Sequence, residues 1–586
     1  MQFIQTNVDR RKGTNDKVTA EVKLLSSPWC DQLHTTLLLR RDKYATIASL
    51  SFRPSPSFSL TCSYHLAIES TKMTISDTLE IASPSGKTLR VPTGLFINNK
   101  FVPSVDGGTL ETINPATGAS LGHVSCASAS DVDLAVSAAR TAFNTTWGRN
   151  SSPSQRAACL FKLASLLEEH AVELSELESL DNGKPRWIAE TMDIADTAGC
   201  FRYYAGLADK IEGKTIEQKE GEKLAFTKLE PLGVCGQIIP WNYPIGMLGW
   251  KVAPALAAGN CIVLKPAEQT PLSALRIAEL SVEAGLPAGV FNVINGLGPV
   301  VGDAITGHMD IDKVAFTGST AIGKRVMERA ARSNLKKVTL ELGGKSPVVV
   351  FDDADLDQAV NWAALGILFN QGQDCTAGSR LFVQEGIYDK FLPKLVAAFK
   401  AHAIGDPFSD QTFQGPQITQ RHQQRILDYI ESGKSEGAKL EIGGGPWSAS
   451  DGKGDFDKGF FVQPTIFSGC KKGMKIVDEE IFGPVLAVAK FKTEEEGIAL
   501  ANDTSYGLGA GVFSTNASRC MRVASAIQAG TVWVNNYVVV SNAVPFGGFK
   551  ASGIGRELGV DAIKEYTQVK SIHWNYGETL DWPLTG

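Results

Sequence analysis

Hydrophobic and polar positions follow two rhythms through the middle of the chain. Short β-branched runs bounded by Gly, Pro or charges occur at "LGVCGQIIP" (232–240), "CIVLKP" (261–266), "GVFNVIN" (289–295), "KVAFTG" (313–318) and "KVTLEL" (337–342). Runs of this length and composition predict buried strands. Between them lie segments of helical period: "IGMLGWKVAPALAAG", "PLSALRIAELSVEAG" and "STAIGKRVMERAARSN". Such alternation predicts a parallel sheet with helices on both faces, binding its ligand beyond the carboxyl ends of the strands. A second alternating block begins at "KSPVVVF" and runs through "LDQAVNWAALGILFN" and "SRLFVQE" to "TVWVNN". The segment "KTIEQKEGEKLAFTKLEP" (214–231) is strand-like but too charged for a core strand. It predicts a protruding hairpin or an edge used for self-association.

Length and composition add bounds. A chain of 586 residues exceeds one small core, so two or three domains are expected. With 43% hydrophobic and 20% charged residues and a net charge of -6, nothing suggests nucleic acid as a partner. No run of about 18 apolar residues occurs, so no membrane partner is expected and the chain reads as soluble and cytoplasmic. Residues 1–72 differ from the rest, with Arg10, Arg11, Lys12, Arg40, Arg41 and a Ser-rich tract, "SLSFRPSPSFSLTCS". Arg and Ser enrichment fits a transit segment, which would point to mitochondria. Asp9, Asp16, Glu21, Asp31 and Asp42 favour instead a disordered tail, or a functional start at Met73.

The ten cysteines are scattered, with no C-x-x-C pair and no zinc-type spacing, so no metal site is expected. Most should be buried small hydrophobes. Cys375, in "QGQDCTAGSR", is set among small and polar residues. Glu341 ends an apolar strand 34 residues earlier, where a carboxylate must be paired, neutralised or used. The strand ends carrying the two could face one cleft. None of the eight histidines lies in these motifs, so the base paired with the thiol should be a carboxylate. Asn242, held between Pro240-Trp241 and Tyr243-Pro244, offers an amide donor, either for an oxyanion or for an Asx-turn. Gly318 ends a strand and Ser319 opens a helix, a setting for a phosphate or a plain glycine turn. Lys265 and Glu268 follow another strand, as ribose contacts or as a solvated loop.

The motifs "PWNYP", "KPAEQTP", "FTGS", "LELGGKSP", "NQGQDCTAGSR", "EEIFGPV" and "PFGGFKASGIGRELG" resemble, in order, those of the aldehyde dehydrogenases. The resemblance runs from "LFINNKFV" to the C-terminus and leaves out the first seventy to eighty residues. It implies an α/β fold with a Rossmann-like NAD-binding domain, an α/β catalytic domain and a small β oligomerisation element. The expected boundaries are 73–212 with 232–342 for NAD binding, 343–545 for catalysis, and 213–231 with 560–586 for association into a homodimer or homotetramer. The resemblance makes Cys375 the nucleophile, Asn242 and the Cys375 N–H the oxyanion donors, and Glu341 the base for hydrolysis, with Lys251 and Glu557 assisting proton movement. Trp241, Lys265, Glu268, Gly318, Ser319, Glu480 and Phe482 would hold the cofactor, with Glu268 favouring NAD over NADP.

Met247, Trp250 and Phe546 could line the substrate tunnel, with Val538, Val539 and Val540 near it. The pocket reads as apolar and without a cation, which favours aliphatic or aromatic aldehydes. Asp374, beside the thiol, would raise its pKa if the carboxylate is close. A CoA-acylating enzyme is the alternative reaction class and an idle protein on the same fold the other alternative. Glu341 as a base argues against the first, and the complete set of site residues against the second.

Overall fold

The computed structural model describes residues 76–448 and 455–577, together with four short strands before residue 48. Apart from those strands, the stretch read as a tail or targeting segment lies outside the described residues. Met1–Met73 and Thr74–Gly586 are separate units, and the second carries the sheets that build the site.

An eight-stranded sheet runs in the order Gly553–Ile554, Lys337–Glu341, Lys313–Thr317, Val234–Ile238, Cys261–Lys265, Phe291–Val293, Leu95–Ile97, Lys100–Val102. The five strands expected from the 232–342 pattern form its parallel centre, and three antiparallel strands complete its edges. Four of the five central strands are buried along their whole length, which explains why they read as continuous apolar runs. The strand order reverses between Val234–Ile238 and Lys313–Thr317. A cleft opens at such a switch point, and the loops leaving these two strands carry Trp241-Asn242 and Gly318-Ser319.

A second, seven-stranded sheet runs Lys439–Ile442, Thr465–Ser468, Val485–Phe491, Arg380–Gln384, Pro347–Val350, Gly509–Phe513, Thr531–Val534. It is parallel except at its first pair. The charged segment forms a hairpin of Thr215–Lys219 and Lys223–Pro231, and the second strand pairs with Thr567–Asn575. Both outer strands of this three-stranded sheet are largely exposed. Among the described residues no helix is long and apolar enough to cross a membrane.

Candidate active site

A cavity of about 710 Å³ opens at the switch point. Its walls include Trp241, Asn242, Met247, Trp250, Gly318, Ser319, Glu341, Cys375, Glu480, Phe482, Phe546 and Glu557. Four residues singled out from the sequence lie outside the lining: Lys251, Lys265, Glu268 and Val539. Lys251 is fully buried behind Glu557. Lys265 and Glu268 pair with each other at 3.3 Å, while their neighbour Gln269 does reach the wall.

Cys375 is not at a strand end, as the alternating pattern suggested. The helix Leu356–Leu368 passes into a short turn, Phe369–Gly372, where Asn370 and Gln371 adopt φ of 48° and 61°. The thiol follows in the loop that leads into Arg380–Gln384. Buried Arg380 fixes the far end of this loop by donating to the carbonyls of Lys345, Leu500 and Ala501 at 2.8, 3.0 and 2.9 Å. The "GG" of "LELGGKSP" answers to close approach. A Cβ on Gly344 would lie 2.3 Å from the Cys375 carbonyl oxygen, and one on Gly343 would lie 2.2 Å from the Glu480 carboxylate. Only glycine lets this loop pass between the Cys375 carbonyl and that acid.

The Asn242 amide donates to the Gln373 carbonyl at 2.9 Å, and the Asn370 amide clamps the Asn242 carbonyl at 2.9 Å. A side-chain amide carries two N–H groups, so one remains beyond the Gln373 bond, on a residue that lines the same cavity as Cys375. Asp374 is engaged on both oxygens. Oδ1 accepts from the Thr376 N–H and hydroxyl, both at 2.6 Å, and Oδ2 accepts from the Tyr243 hydroxyl at 2.7 Å. Its charge still reaches the sulfur. Burial pushes the Cys375 thiol well up, and the carboxylates of Asp374, Glu341 and Glu480 push it further.

Glu341 closes its strand 5% exposed, and its Oε2 has no hydrogen-bond partner. Burial raises its carboxyl well above the usual range, the Glu557 charge adds to this, and Lys251 and Arg556 oppose it. Glu557 gives Oε1 to the Lys251 ammonium and leaves Oε2 unpartnered. Lys251 also donates to the Thr317 hydroxyl at 2.6 Å. Two carboxylates and one cation thus share a buried site next to the thiol.

At one end of the cavity Ser319 caps the helix Thr320–Ala331, presenting a helix N-terminus of the kind that binds phosphate. Trp241 packs edge-on to Phe482 and His422, with ring centroids 5.3 Å apart in both pairs. His422 donates from Nε2 to the Phe482 carbonyl at 2.7 Å, and burial lowers its pKa to about 4. Glu480 accepts from the Gly344 N–H at 2.9 Å and keeps acceptor capacity towards the cavity. A helix N-terminus, a carboxylate with spare lone pairs and an aromatic wall suit a dinucleotide's phosphates, ribose and base. His422 was missed because "ITQRHQQR" carries no motif. Thr419 caps the helix Gln420–Ser435, whose first turn carries His422.

At the other end Met247, Trp250 and Phe546 line the wall, with Trp250 and Phe546 in edge contact at 5.2 Å. Val538 and Val540 join them, but Val539 does not line the cavity and is 57% exposed. The pocket read as apolar also holds acid: Asp193 and Asp196, from the segment "AETMDIAD", line the cavity as well.

Fold and cavity together define a class, a two-sheet α/β enzyme with a thiol between a nucleotide-type cleft and a mostly apolar pocket. The sequence model of the aldehyde dehydrogenase family matches residues 101–572. An aldehyde dehydrogenase of Emericella nidulans is 54% identical over 489 residues, 83% of this chain and 96% of its own length. Rabbit (Oryctolagus cuniculus) aldehyde dehydrogenase 1A1 is 52% identical over 482 residues, 82% of this chain and 95% of its own. The NAD+ complex of a Bacillus cereus aldehyde dehydrogenase superposes with a TM-score of 0.80 at 48% identity, covering 83% of this chain and 97% of that one. An indole-3-acetaldehyde dehydrogenase of P. syringae, solved with NAD+ and IAA, gives 0.81 at 43% identity, with coverages of 83% and 97%. This chain belongs to the aldehyde dehydrogenase family.

Proposed function

We propose that the chain oxidises an aliphatic or aromatic aldehyde to its carboxylic acid with NAD, through a covalent intermediate on Cys375, and that water resolves it. One observation carries the reading. The Cys375 thiol shares a cavity with the spare Asn242 N–H and with Glu341, a buried carboxylate that has no donor on Oε2.

The Cys375 thiolate attacks the aldehyde carbon, and the oxyanion of the thiohemiacetal is held by Asn242 and the Cys375 N–H. Trp241, Ser319, Glu480 and Phe482 would hold NAD, which would supply the acceptor for the hydride lost from this carbon. The thioester left on Cys375 is attacked by water as Glu341 takes its proton, and the acid departs with regeneration of the thiolate. The buried Lys251–Glu557 pair steadies the charge that Glu341 gains and loses. Glu341 as base favours water over CoA as the resolving group. Glu268, near the Gln269 wall, favours NAD over NADP because a carboxylate repels a 2′-phosphate. The first sheet serves as the NAD-binding domain and the second as the catalytic one. The exposed three-stranded sheet, with Val569 66% and Trp574 57% exposed, serves self-association as a dimer or tetramer.

Purified protein given NAD and a panel of aldehydes should form NADH, with the free acid as product even when CoA is present. Acyl-CoA as the main product would overturn hydrolysis. Cys375→Ala should cost roughly 10⁴-fold or more in turnover while NAD binding persists. Retained turnover would remove Cys375 as nucleophile.

A further inference from the structure

We propose that Asp196 selects aldehydes that carry a positively charged ammonium group at the end remote from the carbonyl; this rests on the aldehyde-oxidising reading of the same cavity. Asp196 lies in the first turn of the helix Ala195–Leu207, directly after the π-helical turn Ala189–Ile194. It lines the cavity that contains Cys375.

The carboxylate is met only by neutral donors. Oδ2 accepts from the Trp250 indole N–H at 3.2 Å, and Oδ1 accepts from the Asn542 amide at 3.0 Å. Asp193, on the preceding turn, is paired with the buried ammonium of Lys184. No such ion pair reaches Asp196 among the described residues. Burial raises its carboxyl, Asp193 raises it further, and only the two hydrogen bonds lower it. One negative charge in the wall is therefore without a counter-charge.

The surroundings suit a cation. Trp250, whose indole N–H meets this carboxylate, packs against Phe546 in the same wall, and aromatic faces attract ammonium groups most strongly where water is excluded. A hydrocarbon tail here would leave the carboxylate facing apolar atoms, which is costly. The distance also fits a single substrate. Asn242 precedes the helix Pro244–Ala257, and Trp250 lies six residues into it. At ~1.5 Å per residue the carboxylate end is roughly 9 Å along the helix from the oxyanion end.

The test compares ω-ammonio aldehydes of three to six carbons with n-alkanals of matching length, reading kcat/KM from NADH formation. At the best length the ammonio substrate should be favoured by about tenfold or more, the usual scale for a hydrogen bond to a charged group. Asp196→Asn keeps the size and one of the two acceptor oxygens, losing the charge and the hydrogen bond from Trp250 or Asn542, and the ammonio-to-alkanal ratio should fall towards one. Asp196→Glu, which keeps the charge, should retain a preference even if the Asn variant proves inactive. Alkanal turnover with no ammonio preference at any length overturns the proposal alone, as does an unchanged ratio in Asp196→Asn or a lost one in Asp196→Glu. If neither substrate class yields NADH, the oxidation reading itself fails, and this proposal fails with it.

Discussion

Two groups of carboxylates flank Cys375, and they are treated in opposite ways. Asp374 has a donor on each oxygen, three in all. Glu341 and Glu557 are more deeply buried, yet each has an oxygen without a partner. Leaving a buried carboxylate undersatisfied costs free energy, and folds keep such groups where chemistry uses them. On the proposed mechanism, the difference separates a carboxylate that shapes the loop from carboxylates that exchange protons. Saturation by hydrogen bonds, rather than closeness to the sulfur, marks the role.

Glu341→Gln puts the greatest strain on this division. The amide is nearly isosteric but cannot take a proton from water, so steady-state turnover should fall by about 10²- to 10⁴-fold. A first burst of NADH should survive in rapid-mixing experiments, because attack and hydride loss do not need the base. In the wild type, hydrolysis requires Glu341 ionised, and burial with the Glu557 charge raises its pKa. The rate should therefore climb as pH rises through that raised value and flatten above it. Loss of this limb is expected in the Gln variant. A burst that vanished with the steady state would erase the contrast with Asp374.

Lys251→Met asks whether the undersatisfied pair depends on its one buried cation. Lys251 lowers the Glu341 pKa and pairs with Glu557. Its removal should move the rising limb of the pH–rate profile to higher pH. The folded state should lose roughly 3–5 kcal/mol, the usual cost of stranding one partner of a buried pair, seen as a lower urea midpoint. A limb that stayed in place would mean the cation serves the fold alone.

Legibility in the sequence followed the range of the interactions. The five central strands could be read because four are buried along their whole length as continuous runs, and the fifth, Lys337–Glu341, over its last three residues. The edge pieces Gly553–Ile554 and Leu95–Ile97 could not, since they exist only by pairing with strands already in place. The loop position of Cys375 was hidden by Asn370 and Gln371, which take left-handed φ with no glycine to announce it. The motif residues of the site were legible through family resemblance, although its contents did not all reach the cavity wall. His422 and Asp196 were invisible because neighbouring elements, not local spacing, bring them there. The engagement of Asp374 was equally hidden, as Tyr243 lies 131 residues away.

Asp374→Asn should have the smallest effect and sharpens the comparison most. The Asn carbonyl can still accept from the Thr376 N–H and hydroxyl, while the Tyr243 hydroxyl must turn from donor to acceptor against the new amide. The loop should therefore persist, and kcat/KM should change by less than about tenfold, the scale of one ordinary hydrogen bond. The charge, however, is gone. Asp374 is one of the carboxylates that raise the Cys375 pKa, and burial is the larger cause. Removing it should thus lower the pH midpoint of thiol alkylation by iodoacetamide without bringing it to that of an exposed cysteine. A midpoint that moved upward would show that Asp374 acts on the sulfur by geometry, holding the Cys375 N–H where it steadies the thiolate. Its saturated oxygens would then belong to the chemistry after all.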